Sequence, residues 1–261
     1  MAMQKIGLAL SGGWANGFAH VGALMAIENA NIKIDAIAGC SMGSIIGACY
    51  AAGKTPLEIE HFILKHRLFD LLDLSITKLG ISRTGKLKKA LNDFIGVTRF
   101  DELRIPLYIN ATDLSKGQEA VFFSGEIFEA IRASIAIPGV FAPHISKGFY
   151  VDGGVLDNIP FSILPKNIKK YIIIDAVSFE PIKKNQKPSL VKILEISGKL
   201  AMAEILRLRL KDVPKNDYVL IKPQIPDYRV MPGKDKIFEI ISNGEQATRE
   251  KIPEIKRKLL V

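Results

Sequence analysis

Ser41 lies between two glycines, Gly39 and Gly43, at minus two and plus two. The flanking segments are a short apolar run, Asp35 to Ala38, and a small-residue helical run, Ile45 to Ala52. G-x-S-x-G on a strand-to-helix turn reads as a nucleophile elbow. Such a turn is tight, so the residues two places away must lack bulk. It lifts the serine Oγ toward a helix N-terminus that favours developing negative charge. The same residues also fit a glycine-lined packing turn whose serine only caps the helix.

A serine nucleophile needs a base and oxyanion donors. The four histidines are His20, His61, His66 and His144, so none follows residue 144. The Ser, acid, His order of an α/β-hydrolase is therefore not met by a late histidine. His144 with an earlier acid such as Asp113 is the formal substitute, although Ala142-Pro143-His144 reads as an ordinary loop. Asp152-Gly153-Gly154 is the better source of a base. It directly follows the apolar Phe149-Tyr150-Val151, which places the aspartate at a strand's carboxyl end, where open α/β sheets hold ligands. Gly153 and Gly154 allow a sharp turn and a close approach; a plain Asp-Gly turn reads the same way. Gly12-Gly13 follows the first apolar run, and backbone N–H groups there can bind an anion. A dinucleotide fingerprint with Asp35 at the ribose fails at Trp14, which occupies the second glycine position.

These groups need a scaffold. Ile6 to Leu10 predicts a buried strand, Phe18 to Ala30 a buried helix, and Asp35 to Gly39 a second strand leading into the elbow. Strand, turn, helix, strand, elbow, helix in the first fifty residues predicts a βαβ start and a mainly parallel sheet. Thr55-Pro56-Leu57-Glu58 predicts a helix start with a capping box. Leu107 to Leu114 and Ala120 to Phe123 predict paired strands turning at Ser115-Lys116-Gly117. Ile127 to Ala136 predicts a helix, Tyr171 to Val177 a strand and Tyr218 to Ile221 the last strand. Helices are expected over about 190–210 and 234–260, the latter interrupted near Glu250 and restarted by Pro253. The expectation is α/β, a three-layer α/β/α sandwich forming one domain over 1–261, with its motif-bearing part at about 6–160.

The chain has 261 residues and a net charge of +9. That balance favours an anionic partner and does not choose among phospholipid, nucleic acid and acidic protein. Two stretches, Leu74 to Asn92 and Pro181 to Leu194, carry lysine and arginine without any acid. The first reads as a solvated helical excursion or as a cationic flap over a lipid-facing mouth. Cys40 and Cys49 are the only cysteines, which excludes a disulfide framework and a thiolate zinc cluster. No apolar run reaches the eighteen residues of a spanning helix, and the start is too short for a signal peptide. The expected setting is the cytoplasm, with peripheral contact to a membrane surface. Nucleic acid as a partner would rest on charge alone and is not expected.

Four blocks together resemble the patatin-like phospholipase family. They are Leu8-Ala9-Leu10-Ser11-Gly12-Gly13 with Gly17 and His20-Val21-Gly22; Asp35 through Ser44; Ala133 through Phe141; and Val151 through Pro160. The resemblance implies a Ser–Asp dyad, Ser41 as nucleophile and Asp152 as base. It implies an oxyanion hole built from Gly12 and Gly13, to which the Met42 amide is a further candidate. It also implies hydrolysis of lipid acyl esters, of phospholipase A or lysophospholipase type, with no metal and no cofactor. The chain departs from the pattern at Trp14, where many relatives carry a third glycine, and at Asn16, where they carry arginine or lysine. Loss of that cation leaves open a weakly active or inactive regulatory protein that keeps the fold.

Overall fold

The computed structural model describes residues 4–66, 71, 73–77, 80–182, 185, 187–226 and 232–260, and of 73–77 and 80–83 the backbone alone. Lys78, Lys183 and Lys184 of the two basic stretches lie outside the described residues. The strands are β1 (Ile6–Leu10), β2 (Ala36–Gly39), β3 (Asp73–Thr77), β4 (Gly80–Arg83), β5 (Leu107–Asp113), β6 (Gln118–Phe122), β7 (His144–Ile145), β8 (Phe149–Asp152), β9 (Lys170–Ile174) and β10 (Tyr218–Ile221). The α-helices are α1 (Ala19–Asn29), α2 (Met42–Ala51), α3 (Pro56–His66), α4 (Gly85–Ile95), α5 (Ile127–Ser134), α6 (Leu190–Arg209) and α7 (Lys234–Leu259).

The main sheet runs β10-β9-β1-β2-β5-β8-β7, with β6 also paired to β5. From β10 to β5 every pairing is parallel, as the βαβ start predicts. Beyond β5 the sheet turns antiparallel. Every residue of β1 is buried, which fits a parallel strand covered on both faces. Leu8, Leu10, Ile37, Ile109, Ile172 and Ile174 face a large core filled mainly by α1 to α5 and α7. Ala9 and Ile173 face the other way, against Phe161 and Leu206 of α6. The result is helix, sheet, helix, with α6 as the thinner outer layer.

One register detail decides where the functional groups go. A strand has two hydrogen-bonding edges, and β6 takes one edge of β5 along Ile109 to Asp113. The other edge is shared. β2 occupies it as far as Gly39 opposite Ile109. β8 occupies it from Tyr150 opposite Asp113 to Asp152 opposite Ala111. The two strands therefore run toward each other and end two residues apart, about 7 Å along β5. Asp152 does sit at the level where the parallel strands end. It gets there by antiparallel return along the overhang of β5, and not as the carboxyl end of a parallel strand.

Helices α1 and α7 touch backbone to backbone. A Cβ on Gly22 would lie 1.8 Å from the Ile241 carbonyl oxygen, and one on Gly244 would lie 2.0 Å from that of Ala19. This cover explains why α1 is apolar nearly all round. It also bears on Pro253, where a break was expected: α7 continues through it to Leu259. Proline removes one intrahelical bond, but Ile255 and Leu259 beyond it are fully buried and hold the last turns in place.

The stretch from Leu74 to Asn92 is not one helical excursion. β3 and β4 pair antiparallel, and α4 starts only at Gly85. The period-two spacing of Leu74 and Ile76 is the strand signal there. Two cations of that stretch are neutralised from nearby: Lys88 lies 3.3 Å from both Glu126 and Glu129, and Lys89 pairs with Asp93. The capping box at α3 forms as expected, with Thr55 N–H donating to Glu58 and Glu58 N–H to Thr55 Oγ1.

Candidate active site

Ser41 joins β2 to α2 with φ 50° and ψ −121°. A non-glycine residue rarely adopts such a backbone, and it costs on the order of 1–3 kcal/mol unless the surroundings impose it. Here they do. Ser41 N–H donates to Ser134 Oγ of α5 at 2.8 Å. The Ser41 carbonyl accepts from Ser44 N–H at 2.9 Å and from Ser44 Oγ at 2.6 Å. The flanking glycines are steric necessities. A Cβ on Gly39 would sit 2.5 Å from the Gly43 carbonyl oxygen, and one on Gly43 would sit 2.3 Å from that of Leu10.

Asp152 ends β8 with only 6% of its surface exposed. Its Oδ1 accepts from Gly154 N–H at 2.8 Å and from the Cys40 thiol at 3.6 Å. The Ser41 hydroxyl lies close enough to the carboxylate to favour its charged form. Burial pushes the Asp152 carboxyl up to about 6, and Ser41, Gly154 and Cys40 oppose a larger rise. Cys40 is driven well above its ordinary value, by burial first and by Asp152 second, so it is a neutral thiol. Gly153 and Gly154 are cramped: a Cβ would meet Asn110 Oδ1 at 2.4 Å and Asn158 Oδ1 at 2.9 Å respectively.

Gly12 presses on the same spot. A Cβ there would meet Asn158 Oδ1 at 2.5 Å and Ser41 Cβ at 3.1 Å. Its own N–H donates to the Asn158 carbonyl at 3.1 Å. The amides of Gly13 and Met42, the latter opening α2, have no protein acceptor among the described residues. Trp14 has φ 53°, in the left-handed region that favours glycine. Its ring lies 6.2 Å from that of Phe141. Asn16 is buried, and its Nδ2 donates to Ser178 Oγ at 2.8 Å. It ties the turn after β1 to the segment after β9.

The two buried histidines have other partners. His20 is fully buried, with Nε2 donating to the Ser11 carbonyl at 2.8 Å, and burial lowers it to about 4, so it stays neutral. His144 sits 3.3 Å from Glu129 and stacks on Tyr150, while Asp113 accepts from Ser115 N–H at 2.9 Å. Asp35 accepts from Ile6 N–H at 2.8 Å, at the opposite end of β1 from the glycine turn. It is therefore badly placed for the ribose of a dinucleotide.

Three neighbours escaped the sequence reading. Asn158 is wedged between Gly12 and Gly154. Asn110 Nδ2 donates to the Asp157 carbonyl at 2.7 Å and to Glu119 at 2.9 Å. Arg209, the last residue of α6, lies 3.1 Å from Asp157 Oδ2 and donates to Ser162 Oγ at 2.7 Å. Asp157-Asn158 lies inside the Val151–Pro160 block, where the sequence assigns it no role of its own. Arg209 stands 52 residues after Asp157 with no motif around it, and only the fold brings it in.

Comparison with known proteins bears on the whole arrangement. The sequence model described as patatin-like phospholipase matches residues 8–165. An uncharacterised NTE family protein of Mycobacterium tuberculosis is 41% identical over 162 residues, 60% of this chain and 45% of the relative. Lysophospholipase NTE1 of Cryptococcus neoformans is 26% identical over 286 aligned positions, 98% of this chain and 17% of the relative. The chain thus spans less than half the length of these relatives. Among solved structures, VipD of Legionella pneumophila superposes with a TM-score of 0.62 at 13% identity, covering 97% of this chain and 67% of that one. Full-length ExoU of Pseudomonas aeruginosa, in complex with SpcU, gives 0.54 at 18% identity, covering 99% and 53%. At such identities the likeness is one of fold, and the fold is the three-layer α/β/α sandwich.

Proposed function

The chain belongs to the patatin-like phospholipase family, and from that membership we propose that it is a serine hydrolase of lipid acyl esters, of phospholipase A or lysophospholipase type. The observation that supports the reading is the meeting of β2 and β8 on one edge of β5, which brings the turn that carries Ser41 close to the buried Asp152. Ser41 Oγ attacks the ester carbonyl carbon while Asp152 accepts the hydroxyl proton. The carbonyl oxygen becomes an oxyanion, held by the amides of Gly13 and Met42. The Gly12 amide, tied to Asn158, fixes the shape of that turn. Collapse breaks the bond to the alcohol oxygen, and Asp152 returns its proton to the leaving alcohol. Water then attacks the acyl-serine with Asp152 again as base, which releases the fatty acid and restores Ser41.

A carboxyl at about 6 suits this work better than an ordinary aspartate, because it is a stronger base and is still ionised at neutral pH. The test is labelling by a fluorophosphonate probe, together with turnover on a panel of lipid esters. Ser41→Ala should lose both while keeping its thermal melt. Asp152→Asn should lose about 10²–10⁴-fold in turnover. Full turnover in a folded Ser41→Ala protein would end the proposal.

A second reading has one observation in its favour. Trp14 holds a glycine-like backbone and Asn16 supplies no cation beside the candidate oxyanion turn. On that reading the protein is regulatory, and folded wild-type protein takes up no probe.

No helix among the described residues is long and apolar enough to cross a membrane. We place the protein in the cytoplasm with peripheral access to lipid. Its charge of +9 supports attraction to anionic lipid surfaces.

A further inference from the structure

Helix α6 carries an apolar stripe on the side that faces away from the protein. Its inward seam includes Ile196 and Leu206, the latter packed on the sheet through Ile173. Leu190, Leu194, Ala201 and Leu208 recur at spacings of four, seven and seven, which puts them in one stripe at 100° per residue. All four are exposed, Leu190 at 71% and Leu194 at 63%. Val191, beside the stripe, is exposed at 74%. A surface helix ordinarily turns its charges outward. The first half of α6 does the reverse: Lys192 is buried, and Glu195 lies 3.3 Å from Lys192 and 2.7 Å from Lys199, all three drawn toward the protein.

The same helix reaches the candidate site. The Met202 methyl lies 3.3 Å from where a Cβ on Gly154 would sit, so α6 rests on the turn that follows Asp152. Val155, in that same turn, is exposed. The helix that carries the outward stripe therefore borders the candidate site.

We propose that the outward face of α6 is the surface on which the protein docks to a lipid bilayer, with Leu190, Val191 and Leu194 entering the acyl layer. The proposal deepens the lipid ester reading and rests on it for the choice of occupant. Charge favours the same choice. Two copies at +9 repel one another, whereas an anionic bilayer attracts the chain. An apolar helix face on a chain of net positive charge suits a protein that lies in the membrane interface.

The test uses the whole chain and a triple variant, Leu190→Ser, Val191→Ser and Leu194→Ser, at exposed positions where the fold has little to lose. Three readouts are needed: flotation with phosphatidylcholine vesicles with and without phosphatidylglycerol, turnover on a water-soluble short-chain ester, and mass by light scattering. The variant should bind vesicles about tenfold or more weakly and lose vesicle-lipid turnover in step, with soluble-ester turnover unchanged. Flotation equal to wild type would overturn the proposal. So would a wild-type dimer that the variant dissolves while neither protein binds vesicles, since a second copy would then be the occupant. If wild type cleaves no ester yet floats in a manner the variant abolishes, the docking surface stands and the hydrolase reading falls.

Discussion

At Ser41 and Asp152 the sequence spoke through their neighbours. Gly39, Gly43, Gly153 and Gly154 announce tight turns, and each proves to be a place where a methyl group would strike backbone or a buried amide. What they could not announce is the protonation of Asp152, which depends on burial by residues scattered along the chain. Burial at about 6 has a kinetic signature. A base must be unprotonated to act, so turnover should rise with pH through about 6 and level off above it. A pH–rate profile checks this, with Asp157→Asn as the control. Asp157 is also raised to about 6, mainly by burial and against the pull of Arg209, so a limb that survives its removal belongs to Asp152. The stability signature has the opposite sign. A carboxyl raised in the fold above its ordinary value near 4 favours folding below about pH 4, and that contribution is lost as pH rises through about 6. On the proposed mechanism the protein gives up stability over the same pH range in which Asp152 becomes a base.

Among the elements, those with strong local patterns were the ones the sequence predicted. β1, β5, β6, α5 and β10 fall within a few residues of their expected places because apolar runs and turn residues mark them plainly. The hairpin β3–β4 was read as helical, since its alternating residues are too few to outweigh the lysines around them. Pro253 was read as a break because the cover that α1 gives α7 is not local. That cover makes a sharp prediction. Gly22→Ala brings a methyl to 1.8 Å from the Ile241 carbonyl oxygen, where backbone must move. It should cost at least the roughly 1–3 kcal/mol of overpacking. Gly198→Ala, at a half-buried position of α6 with nothing within 4 Å, should be neutral or gain up to about 1 kcal/mol. Thermal melts separate the two, at about 2–4 °C per kcal/mol for a chain of this size. Equal melting temperatures would show that α1 and α7 do not meet as described.

For the molecule as a whole, the four motif blocks end near Pro160, yet the fold does not. β9 pairs with β1 along its full length, and α7 lies against α1, so the later third of the chain completes the core that holds the elbow. A chain cut after residue 165 would expose one edge of β1 and the face of α1 at Ala19 and Gly22 that α7 covers. We expect it to be insoluble or molten by circular dichroism and melting, and a cooperative melt near that of the full chain would refute the single-domain reading. The layered architecture was legible early because a βαβ start leaves few topologies. The shared edge of β5 was not, since no local pattern says where one strand stops and another takes over. That edge has a consequence for how the chain can change in length. Side chains alternate along β8, so adding or removing one residue between Tyr150 and Asp152 would turn the carboxylate to the opposite face of the sheet. Tyr150 and Val151 can vary in kind, but the number of residues from Tyr150 to Asp152 cannot change.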